Sequence, residues 1–142
     1  GLLARCQGFE VVQDPGEPSL QFDKPVLKQR GYWHPSPAYS KTLLSRIPLT
    51  WLAGFHETLS PVSPAPDPDL LLVHTHRVDY EYCRARHEAA VQRTWNEADR
   101  ARGHGRQSRI FEPEAFKTWF YEEADRENGE RAPIPEQFRE VF

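Results

Sequence analysis

The chain has 142 residues, of which 38% are hydrophobic and 12% aromatic, and this is enough for one ordinary domain with a modest core. Its 18 Lys and Arg against 21 Asp and Glu give a formal net charge of -3, which excludes the general basic field that drives nucleic-acid binding. The longest apolar runs, such as residues 70 to 73, are far shorter than the roughly 20 residues that a membrane span requires.

The cysteines and the N-terminus bear on where the protein works. Cys6 and Cys83 are far apart and form no CxxC pair, so the sequence indicates neither a zinc ribbon nor a disulfide framework, and we expect reduced thiols in a cytoplasmic protein. The first residues show no signal-peptide pattern. Because Met is absent throughout, we expect the chain to be a piece of a longer protein.

The N-terminal segment predicts an α/β junction. The apolar spacing of residues 2 to 6, followed by Gly8, predicts the end of a helix, and residues 9 to 12 predict a short strand. Residues 13 to 24 contain Asp-Pro-Gly and a second proline, which favour turns, so we expect a surface loop there.

An aromatic, proline-rich segment follows. Tyr32, Trp33, His34 and Tyr39 lie between prolines, a composition that suits an irregular loop lining a pocket. The alternative is a loop that its rings simply pin in place, because aromatic side chains act mostly by burying area.

The middle of the chain predicts two strands and a long connection. Residues 42 to 51 are apolar and β-branched, with Pro48 limiting them to an edge or broken strand. Residues 60 to 69 contain four prolines and predict an extended surface connection. Residues 70 to 73 predict a strand buried on both faces, as in a mostly parallel sheet.

The C-terminal part predicts helices. Asp79 is an N-cap candidate for a long amphipathic helix over residues 80 to 102, ended by Gly103. Pro113 begins a second helix that ends near residue 129, and residues 133 to 142 supply a third, short one.

The charges in this part favour solvated surfaces. Residues 102 to 109 form a small basic patch that either contacts phosphates or is a solvated loop. The arginines of the long helix alternate with acidic residues, so we expect no nucleic-acid partner.

Three histidines are candidate metal ligands. His74 and His76 are two residues apart at the end of a predicted strand, so they share a face, and His56 follows the Gly-Phe turn. Neutral imidazole binds Mn²⁺ or Zn²⁺ well. For His56 alone a structural role is the alternative, and His87, on the apolar face of the long helix, is expected to be a core histidine.

The order of these motifs resembles a known enzyme class. Lys41, residues 46 to 48, the Gly-Phe-His of residues 54 to 56, and LLLVHTHRVDYEYCRARH at residues 70 to 87 resemble the acceptor-side, C-terminal half of GT-A-fold glycosyltransferases. The similarity is greatest to family-2-like bacterial enzymes and to glycosyltransferase family 92. It covers residues 1 to about 90.

The resemblance implies sugar transfer from a nucleotide-sugar donor to a glycan or other acceptor, with Mn²⁺ or Mg²⁺ neutralising the diphosphate leaving group. Asp67-Pro-Asp69 superficially matches the DxD motif of such enzymes but is better explained as turn residues. We therefore expect the nucleotide-binding half to lie upstream, and residues 1 to 142 alone to transfer sugar inefficiently. The implied roles are diphosphate binding by Lys41 and Arg46, sugar contact by Trp33 and Trp51, and metal ligation by His56, His74 and His76.

The sequence thus predicts one α/β domain over residues 1 to 142, with a partial GT-A-like mixed sheet, a long amphipathic helix and short C-terminal helices. Its core is expected in residues 1 to 102, with a helical extension over residues 103 to 142. The alternative function is a non-catalytic α/β module that binds a protein or polysaccharide. The transferase interpretation requires His56 and His74 or His76 near one ion, with Lys41 close by.

Overall fold

The chain folds into a five-stranded mixed sheet with several short helices. It is known from a computed structural model, which describes residues 3–52, 57–59, 63–93, 96–103 and 105–140. The predicted α/β class and mixed sheet are confirmed, whereas a GT-A-like topology stays a prediction. None of the helices in the described ranges is long and apolar enough to cross a membrane.

The strand β1 (Leu3–Val11) is the centre of the sheet. Its C-terminal half pairs antiparallel with β2 (Tyr32–Pro35), and its N-terminal half pairs antiparallel with β3 (Thr42–Ser45). The strand β4 (Ala65–His74) runs parallel to β1, and the short β5 (Ala132–Pro133) extends the sheet beyond β2.

The prediction of a helix end over residues 2 to 6 is wrong, because residues from Leu3 onward belong to β1. Cys6, Gly8 and Glu10 are buried at every second position, as a strand requires. The glycine has no side chain that would reveal this alternation, and it resembled a helix stop instead. The predicted strand at residues 9 to 12 is confirmed as the end of β1.

The strand β4 is longer and more exposed than predicted. It begins at Ala65, inside the segment expected to be a connection, and the apolar run ending at Val73 is half-buried rather than buried on both faces. Among the described strands β4 pairs only with β1, so it is an edge strand that tolerates prolines. Its pairing with β1 is irregular after Pro66, where the Asp67 carboxylate accepts a hydrogen bond from the backbone N–H of Asp69 at 3.0 Å.

The predicted long helix is two helices. The first, α1 (Tyr80–Val91), buries Cys83, His87 and Ala90 on one face, as expected. A second and shorter helix, α2 (Glu97–Ala101), begins with its own cap, because the Asn96 side chain accepts a hydrogen bond from Ala98 N at 2.8 Å.

The C-terminal helical segment begins at Pro113 as predicted. It consists of α3 (Pro113–Lys117), a π-helical stretch (Thr118–Glu123) and α4 (Ala124–Glu127). Beyond it, a single 3₁₀ turn (Glu136–Phe138) replaces the predicted third helix. The core consists of two apolar clusters. One is formed around Val11, Leu27, Trp33 and Ile134, and the other around Cys83, Phe116, Trp119 and Phe120.

Asp79 is the confirmed N-cap of α1, and it also ties the helix to the N-terminal loop. Its Oδ1 accepts a hydrogen bond from Tyr82 N at 2.8 Å, and its Oδ2 accepts one from Leu20 N at 2.7 Å. The carboxylate and its bond to Leu20 are buried, so the Leu20 N–H would lose its partner without access to water.

We expect Asp79→Ala to lower the free energy of unfolding by about 2 kcal/mol, because it removes a cap and leaves a buried N–H unsatisfied. Urea denaturation measures this change. The matched control is Asn96→Ala, which removes an exposed cap and should cost about 1 kcal/mol or less. Equal losses in the two variants would mean that the bond to Leu20 contributes nothing.

Candidate functional site

The main polar groove lies where β1, β4, the loop after β2 and the C-terminal helical segment meet. Its volume is about 690 Å³. We call it the central groove, and the residues that matter for its chemistry are Glu10, Tyr39, Lys41, His74, His76 and Arg77.

A buried ion pair forms one part of the groove. Glu10 is 2% exposed, and its Oε2 accepts hydrogen bonds from Arg77 Nη1 at 3.2 Å and Asn128 Nδ2 at 2.8 Å. Its Oε1 lies 3.4 Å from His74 Nδ1. Burial by itself raises the pKa of Glu10, but the His74 hydrogen bond, the Arg77 charge and the Asn128 hydrogen bond outweigh it and lower that pKa below its usual value. Glu10 is therefore a carboxylate at neutral pH.

Arg77 is held in place on several sides. Besides Glu10, it contacts Glu127 Oε2 at 3.2 Å, and its guanidinium lies 4.1 Å from the ring centroid of Trp119. Since two carboxylates compensate its charge, Arg77 is mainly a fixed support for Glu10.

Tyr39 and His74 form a flat wall of the groove. Their rings stack with centroids 3.8 Å apart. Burial, followed by the nearby charge of Glu10, raises the pKa of Tyr39 to about 12, so its hydroxyl is neutral at physiological pH. The expectation that the aromatic loop lines a pocket holds for Tyr39.

Lys41 supplies the groove with a cation. Its backbone is fixed to β1, because its carbonyl accepts a hydrogen bond from Cys6 N at 2.9 Å. The side chain lines the groove, and no carboxylate of the described residues forms an ion pair with its ammonium. This charge is therefore available to an anion.

A second group of potential ligands lies behind the groove. We call His76, Cys83 and His87 the His-Cys-His cluster. His76 Nε2 is 3.1 Å from His87 Nε2, and one ligand atom of each of the three residues lies within 4.8 Å of the others. Cys83 and His87 are buried, and His76 is half-buried between the cluster and the groove.

Each member of the cluster is neutral at physiological pH. Burial, with smaller effects from His87 and Arg86, lowers the pKa of His76 to about 4. Burial also lowers the pKa of His87, against the opposing effect of its hydrogen bond to Ile110. Burial raises the pKa of the Cys83 thiol to about 12.

The structure brings together some of the residues predicted from the sequence. Lys41, His74 and His76 line the same groove. Arg46 lines a different groove, of about 460 Å³, at the other end of β1. His56 lies outside the described residues, so its predicted position near the ion stays a prediction.

The two tryptophans do not share a site. Trp33 is 3% exposed and stacks on Phe9 with ring centroids 4.2 Å apart, so its ring lies in the core, and its predicted sugar contact stays a prediction that this burial disfavours. Trp51 is half-exposed and forms an isolated bridge with Thr58. Its predicted sugar contact stays a prediction.

Sequence reasoning missed three residues of these sites. Glu10 is an acidic residue within an apolar strand. This indicates that its carboxylate has a buried polar partner, but it does not identify that partner. Arg77 lies 67 positions away from it in the chain. Cys83 is four residues before His87, a spacing that places both on one face of a helix and that would have indicated the cluster.

Comparison of the chain with protein-family models, curated proteins and solved structures gave no match. The resemblance to glycosyltransferases therefore stays a prediction from the sequence.

Proposed function

We propose that this chain is the acceptor-side part of a metal-dependent glycosyltransferase, and that the central groove receives the diphosphate end of a nucleotide-sugar donor. The observation that carries the proposal is that Lys41, which has no carboxylate partner in the described part of the chain, lies in the same groove as His74 and Glu10. These residues come from separate parts of the chain.

Lys41 is the residue suited to hold the diphosphate. Arg77 is compensated by Glu10 and Glu127, whereas the ammonium of Lys41 has no such partner among the described residues. A fixed cation stabilises negative charge that develops on a leaving group, and this effect is strongest in a site that partly excludes water.

Glu10 and His74 fit a divalent cation. Two ligands about 2.1 Å from one ion in neighbouring positions lie about 3 Å apart, and Glu10 Oε1 and His74 Nδ1 are 3.4 Å apart. A carboxylate with an imidazole suits Mn²⁺. When bound, such an ion would neutralise the diphosphate. His56 remains a candidate third ligand, while the Nε2 atom of His76 is engaged by His87.

Tyr39 is the better candidate for sugar contact than Trp33. Its ring is half-buried on the groove wall and is held flat by the His74 stack. A sugar ring packs its apolar face on such a surface, and the neutral hydroxyl can exchange hydrogen bonds with sugar hydroxyls.

Calorimetric titration of the chain with uridine diphosphate glucose in the presence of Mn²⁺ tests the proposal. We expect Lys41→Ala and His74→Ala each to weaken binding about 10- to 100-fold, since the first removes a charge-assisted hydrogen bond to the diphosphate and the second removes a ligand of the ion. The control is Arg46→Ala, a surface arginine in the other groove, which should bind like the wild type.

Two results would contradict the proposal. One is the absence of any binding by the wild-type chain. The other is equal binding by the wild type, Lys41→Ala and His74→Ala. Binding of an oligosaccharide that needs neither Mn²⁺ nor the nucleotide would favour the alternative, a non-catalytic binding module.

A further inference from the structure

We propose that the His-Cys-His cluster is a zinc site, separate from the cation site of the central groove. Its protein ligands are His76 Nε2, Cys83 Sγ and His87 Nε2. The inference does not depend on sugar transfer.

The positions of the nitrogens suit a tetrahedral ion. Zinc binds imidazole nitrogen at about 2.0–2.1 Å. Two nitrogens 3.1 Å apart, as in His76 and His87, then subtend an angle of about 100° at the ion, close to the tetrahedral value. The Cys83 sulfur lies within 4.8 Å of one nitrogen of each histidine and has to lie about 3.6 Å from each in a tetrahedral site, so it has to approach them by about 1.2 Å at most.

The fold places these ligands together for local reasons. Cys83 and His87 are four residues apart on the buried face of α1, whose start is fixed by the Asp79 cap. His76 lies in the tight connection between β4 and that cap. The three side chains therefore converge at a corner where a strand passes into a helix.

The tautomer of His87 is the one that a metal ligand requires. Its Nδ1 lies 2.8 Å from the carbonyl oxygen of Ile110, which can only accept a hydrogen bond. Nδ1 therefore carries the proton, and Nε2 presents its lone pair to the cluster. Zinc-binding histidines are commonly oriented by such a bond from the second ring nitrogen.

The donor set and its surroundings favour zinc over the ions of the groove. When the ion displaces the Cys83 proton to solvent, the resulting thiolate with two imidazoles and no carboxylate is a soft to borderline set, which selects Zn²⁺ over Mg²⁺ or Mn²⁺. The rings of Trp119 and Phe116 lie 4.7 and 5.1 Å from His87 and shield one side. His76 faces the groove, so a water molecule from that side would complete the coordination.

Cobalt substitution tests the site directly. We expect the chain to bind one Co²⁺ with the intense visible bands of tetrahedral coordination and a thiolate-to-cobalt charge-transfer band. Zinc should displace it. Cys83→Ser should abolish the charge-transfer band and weaken zinc binding more than about 100-fold, beyond the loss that outer-shell changes cause.

Cys6→Ser is the matched control, because Cys6 is the other buried cysteine and lies on β1 away from the cluster. It should keep both the band and the affinity. A charge-transfer band that survives in Cys83→Ser, or that disappears in Cys6→Ser, would overturn the assignment.

X-ray absorption at the zinc edge keeps the test decisive if Cys83→Ser does not fold, since it uses the wild-type chain alone. We expect one sulfur at about 2.3 Å and two imidazole nitrogens at about 2.0–2.1 Å. Coordination without sulfur, or no zinc retained after dialysis, would show that the His76–His87 contact is only a hydrogen bond.

Discussion

Replacing Arg77 with alanine is expected to lower the free energy of unfolding by about 3–5 kcal/mol, because it leaves the Glu10 carboxylate buried without its cation. Both side chains are nearly inaccessible, and Arg77 Nη1 lies 3.2 Å from Glu10 Oε2. The variant also removes the guanidinium that covers the ring of Trp119. Urea denaturation at neutral pH, monitored by circular dichroism, measures the change.

Two further variants isolate the buried charge as the cause. Arg126→Ala breaks an ion pair with Glu122 on an exposed helix surface, so it should change stability by about 0.5 kcal/mol or less. Combining Glu10→Gln with Arg77→Met removes both charges and should recover much of the loss. An Arg77→Ala protein within about 1 kcal/mol of the wild type would mean that Glu10 finds other compensation.

The parts of the fold that the sequence predicted are those with local signals. The loop over residues 13 to 24 follows from its prolines and glycine, the start of α1 from Asp79, and the C-terminal helical segment from Pro113. Each signal acts within a few residues of the structure it sets.

The parts of the fold that the sequence did not predict depend on strand pairing between segments far apart in the chain. The first half of β1 and the start of β4 are strands because they pair with each other, about 60 residues apart. Neither segment shows a clear alternation of apolar and polar residues, since Gly8 interrupts the pattern in β1 and prolines interrupt it in β4. Tertiary contacts decided both elements.

In the candidate site, too, residues with a local sequence signal were predicted and residues that depend on long-range contacts were not. Lys41, His74 and His76 were predicted from motif order, and the groove contains all three. The proline-rich flanks did not reveal that Tyr32 is exposed in β2 whereas Trp33 and His34 are both buried. Partners such as Glu10 and Arg77 become visible only when the sheet is assembled.

Gly8 is expected to be intolerant of a side chain, because β1 passes directly beneath the loop that carries Tyr39. A Cβ at this position would lie 2.4 Å from Tyr39 C and 2.6 Å from both Ser36 O and Ser40 N, all backbone atoms. The loop is also tied to β1 here, since Ser36 N donates a hydrogen bond to Gly8 O at 2.8 Å. We expect Gly8→Ala to lower the free energy of unfolding by about 3 kcal/mol.

Gly31→Ala is the matched control for this substitution, because its Cβ would meet only the Glu17 Oε1 atom at an ordinary 3.8 Å. It should change stability by about 1 kcal/mol or less in denaturation experiments. The same clash should move Tyr39 and the following Lys41, so Gly8→Ala should also weaken binding of uridine diphosphate glucose while Gly31→Ala leaves it unchanged. If Gly8→Ala is as stable as Gly31→Ala, the loop moves away from β1 at little cost, and the groove wall is then not fixed by this contact.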